Sequence, residues 1–152
     1  MSAICLVDTT VFVEILNVPI KAKRHQETLA QLRERIASNS EELFLPMATV
    51  LETGNHIGQN GDGQQRRQCA ERFVEQVRLA LEGKSPFKPL RFLDEPDFLV
   101  WLQDFPEHAS RGSGLGDLSI IQDWQRLCAQ NPHRRVYIWS FDRHLIGYDR
   151  SV

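Results

Sequence analysis

Four acidic residues carry the chemistry that can be read from this chain: Asp8, Glu52, Asp117 and Asp142. Asp8 ends the apolar run at residues 4–7, where a buried strand hands over to a helix pattern. Asp142 lies just past the last apolar run, "RVYIWSFD" at residues 135–142. Glu52 is carried by "MATVLETGNHIG", directly after the short run "LFLP" at residues 43–46. Asp117 follows the glycine-rich "RGSGLGD" at residues 111–117 and stands at the N-terminus of another helix pattern. In open α/β sheets, ligands gather outside the carboxyl ends of the strands, and all four acids have a route to that end of one sheet. Carboxylates brought together repel and raise one another's pKa. A hard divalent cation removes that cost, and an oxygen-only ligand set suits magnesium or manganese rather than zinc. Such an ion keeps several waters, supplies a nucleophile from among them and polarises a phosphoryl oxygen.

Each acid also has a plainer role open to it. Asp8 and Asp117 fit helix N-caps, although neither has Glu or Gln three residues on to complete a capping box. Glu52 fits an exposed helix position, and Asp142 fits a turn within "SFDRH". Spacing alone leaves these alternatives open.

The elements that must position the acids alternate along the chain. Short strands are expected at "ICLVD" (4–8), "LFLP" (43–46), "LRFLD" (90–94) and "RVYIWSFD" (135–142), with a short edge strand in the final "IGYDRSV". A short helix starts at "VFVEIL" and ends near Pro19. Helical spacing recurs through Leu29, Leu32 and Ile36 in residues 26–38. It is strongest over 64–82, where Cys69, Ala70, Phe73, Val74, Val77, Ala80 and Leu81 share one face. A helix opening at Pro96 is expected to end before Pro106, and Leu118, Ile121, Trp124 and Cys128 mark one more, with Asp123 off that stripe and facing solvent. Trp101, Trp124 and Trp139 fit apolar patterns and read as core. Apolar strands separated by amphipathic helices imply a mostly parallel sheet with helices on both faces.

Bulk properties set the frame. The chain of 152 residues suits one domain with one substantial core. With 41% hydrophobic and 25% charged residues it reads as an ordinary globular chain, and a net charge of −2 gives no global basic field for a nucleic acid. Local patches remain: Arg111, Arg143 and His144 flank the acids and are candidate phosphate contacts, and Lys21, Lys23 and Arg24 form a second small cluster that fits a solvated surface equally well. Cys5, Cys69 and Cys128 form no CxxC pair, so zinc-knuckle and thioredoxin readings fail, and reduced core thiols in a cytoplasmic protein are expected. No secretory leader and no membrane-length apolar run is found.

The pieces "ICLVDTTVFVEIL", "ATVLETGNHI", "GLGDLSIIQDW" and "VYIWSFDRHL" together resemble the PIN-domain ribonucleases, in particular the small VapC-type toxins of toxin–antitoxin pairs. They occur in the family's order and span nearly the whole chain. The resemblance implies a single-domain α/β fold, a three-layer α/β/α sandwich around a mostly parallel sheet. It implies magnesium- or manganese-dependent cleavage of RNA. Asp8, Glu52, Asp117 and Asp142 match the family's four acids in order, and Thr9 and Ser140 match hydroxyl positions that support the site. An antitoxin partner and a homodimer are likewise implied by the family alone. Gln122, Asp123 and Trp124 depart from the small-residue helix of many members, and residues 61–89 form a long segment for a minimal one.

Rival readings are weaker. A dehalogenase-type phosphatase needs a second Asp two residues after the first, where Thr10 stands. No P-loop sequence occurs, and "GSGLG" is too short and wrongly placed for a dinucleotide fingerprint. From another class, a PIN-fold protein that binds RNA or a protein without turnover is the alternative.

Overall fold

The computed structural model describes residues 1–91 and 94–152. Strand β1 (Ala3–Val7) leads into the short helix α1 (Thr9–Ile15), and α2 (His25–Ser38) leads into β2 (Glu41–Leu45). Helices α3 (Met47–Gln59) and α4 (Gly63–Leu81) precede β3 (Phe87–Pro89). Helices α5 (Glu95–Ser110) and α6 (Leu115–Gln130) precede β4 (Val136–Trp139) and a short β5 (Asp149–Arg150). The sheet order is β3-β2-β1-β4-β5, parallel throughout except for the antiparallel edge strand β5.

Both faces of the sheet are covered, which is why β1 and β4 read as continuous apolar runs rather than as alternating ones. Side chains still alternate sides along each strand. Cys5 and Val7 of β1, with Tyr137 and Trp139 of β4, enter one core with Val11, Phe12, Leu16 and Ile57. Ile4 and Leu6, with Val136 and Ile138, enter the other with Ile120, Ile121, Leu127 and Leu145. Helices α1 to α4 therefore lie over one face, and α6, with α5 packed on it, lies over the other.

Several sequence expectations are corrected. The third strand is Phe87–Pro89, not 90–94; Leu90 and Arg91 follow it outside regular structure, and Phe92 and Leu93 lie outside the described residues. An edge strand tolerates Pro89 because one side of its backbone has no ladder partner. Helix α5 runs through Pro106 to Ser110. The proline removes the bond to the Leu102 carbonyl, and Leu102 is exposed, so water can take that bond. On α4 only a narrow stripe is covered: Cys69 and Ala80 are buried, while Val74 and Leu81 are exposed. Asp123 does not face solvent; it is 5% exposed. Of the tryptophans, Trp101 and Trp139 are buried, and Trp124 is half-buried with its indole N–H donating to the Val136 carbonyl at 2.9 Å.

Candidate active site

The strand order reverses direction at β1, with β2 on one side and β4 on the other. That is where an open α/β sheet leaves a crevice at its carboxyl edge. The β1–β4 register pairs Val7 with Trp139, and the Asp8 N–H donates to the Trp139 carbonyl at 3.0 Å. Asp8 and Ser140 are therefore neighbours one step beyond the ladder. Ser140 Oγ donates to Asp8 Oδ2 at 2.7 Å and accepts from the Asp142 N–H at 2.9 Å. One hydroxyl thus ties the first acid to the backbone of the last.

Asp8 is also the N-cap of α1, its Oδ2 accepting from the Thr10 N–H at 3.3 Å. The capping role and the site role are not exclusive, because only Oδ2 is used. Thr10, read from the sequence only as the absence of a second aspartate, joins Asp8 to the chain after β4. Its hydroxyl donates to Asp8 Oδ2 at 2.7 Å and accepts from the Phe141 N–H at 2.9 Å. Thr9 Oγ1 donates to Glu52 Oε2 at 3.0 Å.

Glu52 reaches this edge because α3 is pinned there. The buried Thr49 hydroxyl donates to the Val7 carbonyl, the last of β1, at 2.8 Å. Glu52 lies three residues on, on the same helical face. Asp117 is in the first turn of α6, whose N-cap is Gly114 and not Asp117. Its Oδ2 receives a long 3.5 Å contact from Ser113 Oγ. Asp142 opens a turn, its Oδ1 accepting from the His144 N–H at 2.9 Å.

Two of the four carboxylates are shifted by their surroundings. Burial pushes the Glu52 carboxyl above its ordinary range against the Thr9 hydrogen bond, and the charges of Asp8 and Asp117 add to it. Burial likewise raises Asp117, helped by Asp142 and Asp8 and opposed by His144. Among the described residues no lysine, arginine or histidine forms an ion pair with any of the four. Each keeps one oxygen without a protein hydrogen bond among those residues: Asp8 Oδ1, Glu52 Oε1, Asp117 Oδ1 and Asp142 Oδ2. Carboxylates that pair with no cation, each with an oxygen left unbonded and the other held by hydroxyl or backbone N–H donors, fit a hard divalent cation. They do not form a closed cage: among the described residues no three acid, imidazole or thiol groups stand together as a ready ligand set. Magnesium, which retains most of its waters, suits such an open arrangement.

The basic candidates separate. His144 is exposed yet close enough to Asp117 to lower its pKa. Arg143 is exposed, and Arg111, at the end of α5, turns back to Glu107 at 3.6 Å. A cation from the other small cluster comes nearer than expected. The Arg24 guanidinium lies 4.4 Å over the ring of Phe141, the residue between Ser140 and Asp142. Buried Glu14 holds that segment by accepting from the N–H groups of Lys23 at 2.9 Å and Arg24 at 3.0 Å. Beside Glu52 a cleft of about 670 Å³ runs between α3, α5 and α6, walled by Leu51, Phe98, Leu99, Trp101 and Leu115, with Asp123 also lining it.

No protein-family model and no curated protein matches the sequence. Among solved structures the chain is similar to FitAcB from Neisseria gonorrhoeae, with a TM-score of 0.54 and 21% identity, over 91% of this chain and 87% of that one. The fold is PIN-like. The expected three-layer α/β/α arrangement around a mostly parallel sheet is thereby borne out. No described helix is long and apolar enough to cross a membrane.

Proposed function

We propose that this PIN-like protein is a metal-dependent endoribonuclease, the toxin of a VapC-type toxin–antitoxin pair. The observation that carries this reading is the set of four carboxylates at the carboxyl edge of the sheet, each with a free oxygen and none neutralised by a protein cation. Asp8, Glu52, Asp117 and Asp142 would hold magnesium or manganese. The ion would supply Lewis-acid polarisation of a phosphodiester and activation of a water.

The protein's own groups do the rest. Thr10 and Ser140 fix Asp8 through one oxygen and leave the other turned to its task. Thr9 holds Glu52 through Oε2. Burial and the neighbouring carboxylates raise the pKa values of Glu52 and Asp117, a cost to the charged forms that a bound cation would remove. Arg24 and His144, at the rim, suit the phosphates on either side of the cleaved bond.

An antitoxin belongs to the same reading. The cleft beside Glu52 exposes Leu51, Phe98, Leu99 and Leu115, and Asp94 and Glu95 stand along it. Apolar walls with charged margins, Arg91 beside Asp94 and Glu95, suit a partner segment that brings aliphatic side chains flanked by charged ones.

The open spacing of the acids favours one alternative, a PIN-fold protein that binds RNA or a partner without turnover. Purified protein incubated with a pool of structured and single-stranded RNAs separates the two. The nuclease reading expects products with magnesium or manganese, none with EDTA, and none from Asp8→Asn or Asp142→Asn. RNA retention without products under every metal condition would establish the non-catalytic alternative.

A further inference from the structure

Gly116, the second residue of α6, packs against the Glu52 carboxylate. A Cβ at this position would stand 1.6 Å from Glu52 Oε1, 2.6 Å from Cδ and 3.2 Å from Oε2. Its backbone needs no glycine: the positive-φ glycines are Gly61, Gly83 and Gly112. The neighbouring Gly112 and Gly114 would meet nothing within 4 Å. A glycine in a helix ordinarily costs up to about 1 kcal/mol relative to alanine, so helix formation gives no reason for it either. The contact with Glu52 does.

We propose that Gly116 is a positioning residue for Glu52. The missing side chain lets the carboxylate approach the first turn of α6 through Oε1, one residue from Asp117. The surroundings leave Glu52 little freedom to retreat. Its helix is pinned to the end of β1 by Thr49, and its Oε2 is held by Thr9. A methyl group at 116 therefore moves the carboxylate itself off its present position against α6. Because the displaced group is the end of a flexible side chain, the fold absorbs the change while the site does not.

This inference rests on the metal-dependent nuclease reading. Its test uses the whole chain as wild type, Gly116→Ala and the double variant Gly116→Ala/Glu52→Asp. Manganese binding is followed by calorimetry, melting in EDTA by circular dichroism, and RNA cleavage alongside. Gly116→Ala is expected to lose roughly 10- to 100-fold in manganese affinity, the range for supporting residues around a metal. Its melting without metal should be unchanged or higher. The double variant, with a side chain one methylene shorter, should regain part of the lost affinity. Wild-type affinity in Gly116→Ala, or no recovery in the double variant, would overturn the positioning role and leave the nuclease reading standing. A wild-type protein that binds no manganese would overturn both.

Discussion

Ser140 Oγ and Asp8 Oδ2 are 2.7 Å apart across 132 residues of chain. That bond joins the ends of two adjacent parallel strands, and it restrains one oxygen of a carboxylate while leaving the other free. Replacing Asp8 by asparagine keeps an acceptor for Ser140 and Thr10 and removes the charge. Asp8→Asn should therefore melt at the wild-type temperature or above. RNA cleavage should fall by about 10³-fold or more, the scale of several kcal/mol of metal-derived stabilisation. Melting curves and single-turnover cleavage assays check both halves, and a cooperative loss of fold would count against the site.

Thr10 bridges Asp8 to the Phe141 backbone. Thr10→Val keeps the shape but orphans the partly buried Phe141 N–H, at a cost of about 1–3 kcal/mol. Thr10→Ser retains the hydroxyl and should be close to neutral. Urea denaturation distinguishes them, and equal midpoints for the two variants would show that the bridge contributes nothing.

Asp123 is buried and its carboxyl is pushed up to about 6, burial outweighing the nearby Arg126 guanidinium at 2.9 Å. In the folded protein it therefore binds a proton more readily than in the unfolded chain, whose value is near 3.8. Its contribution favours folding at the acidic side of that window and is lost as pH rises through it. Relative to Asp123→Asn, the wild type should lose on the order of 3 kcal/mol between pH 4 and pH 7. Denaturation midpoints of both proteins across that range give the measurement, and parallel pH profiles would contradict the burial of the charge.

Arg24 lies over Phe141 at the rim of the acids. Arg24→Ala should weaken RNA binding with little effect on melting, and should reduce the slope of log affinity against log salt by about 0.7, one phosphate contact on a single strand. Fluorescence anisotropy over a salt series reads this directly. An unchanged slope would place the guanidinium away from the RNA.

Much of this was legible along the chain because it is local. An apolar run broken by an acid marks where β1 stops, directly before Asp8, whereas β4 ends at Trp139, before Asp142 and inside the expected 135–142 run. Asp8 is placed by that alone, and α6 is recognisable from the 3.6-residue spacing of Leu118, Ile121, Trp124 and Cys128. Boundaries that depended on surroundings were read differently. Pro106 signals a helix end unless its orphaned carbonyl faces water, as Leu102 does. The third strand was placed at 90–94 rather than Phe87–Pro89 because the short edge pairs with β2 through its backbone and needs only one buried residue, Phe87.

The sequence carries the order of strands and helices and puts four acids at or near element ends, since periodicity and strand ends are written in adjacent side chains. It could not yield the parts of the site made by approach. Thr10 meets Phe141 from 131 residues away, Gly116 is occupied by a carboxylate from another helix, and Asp123 is enclosed between helices. Each of these depends on a distance between segments that have no sequence relation to one another, and such distances exist only once the sheet has brought its carboxyl edge together.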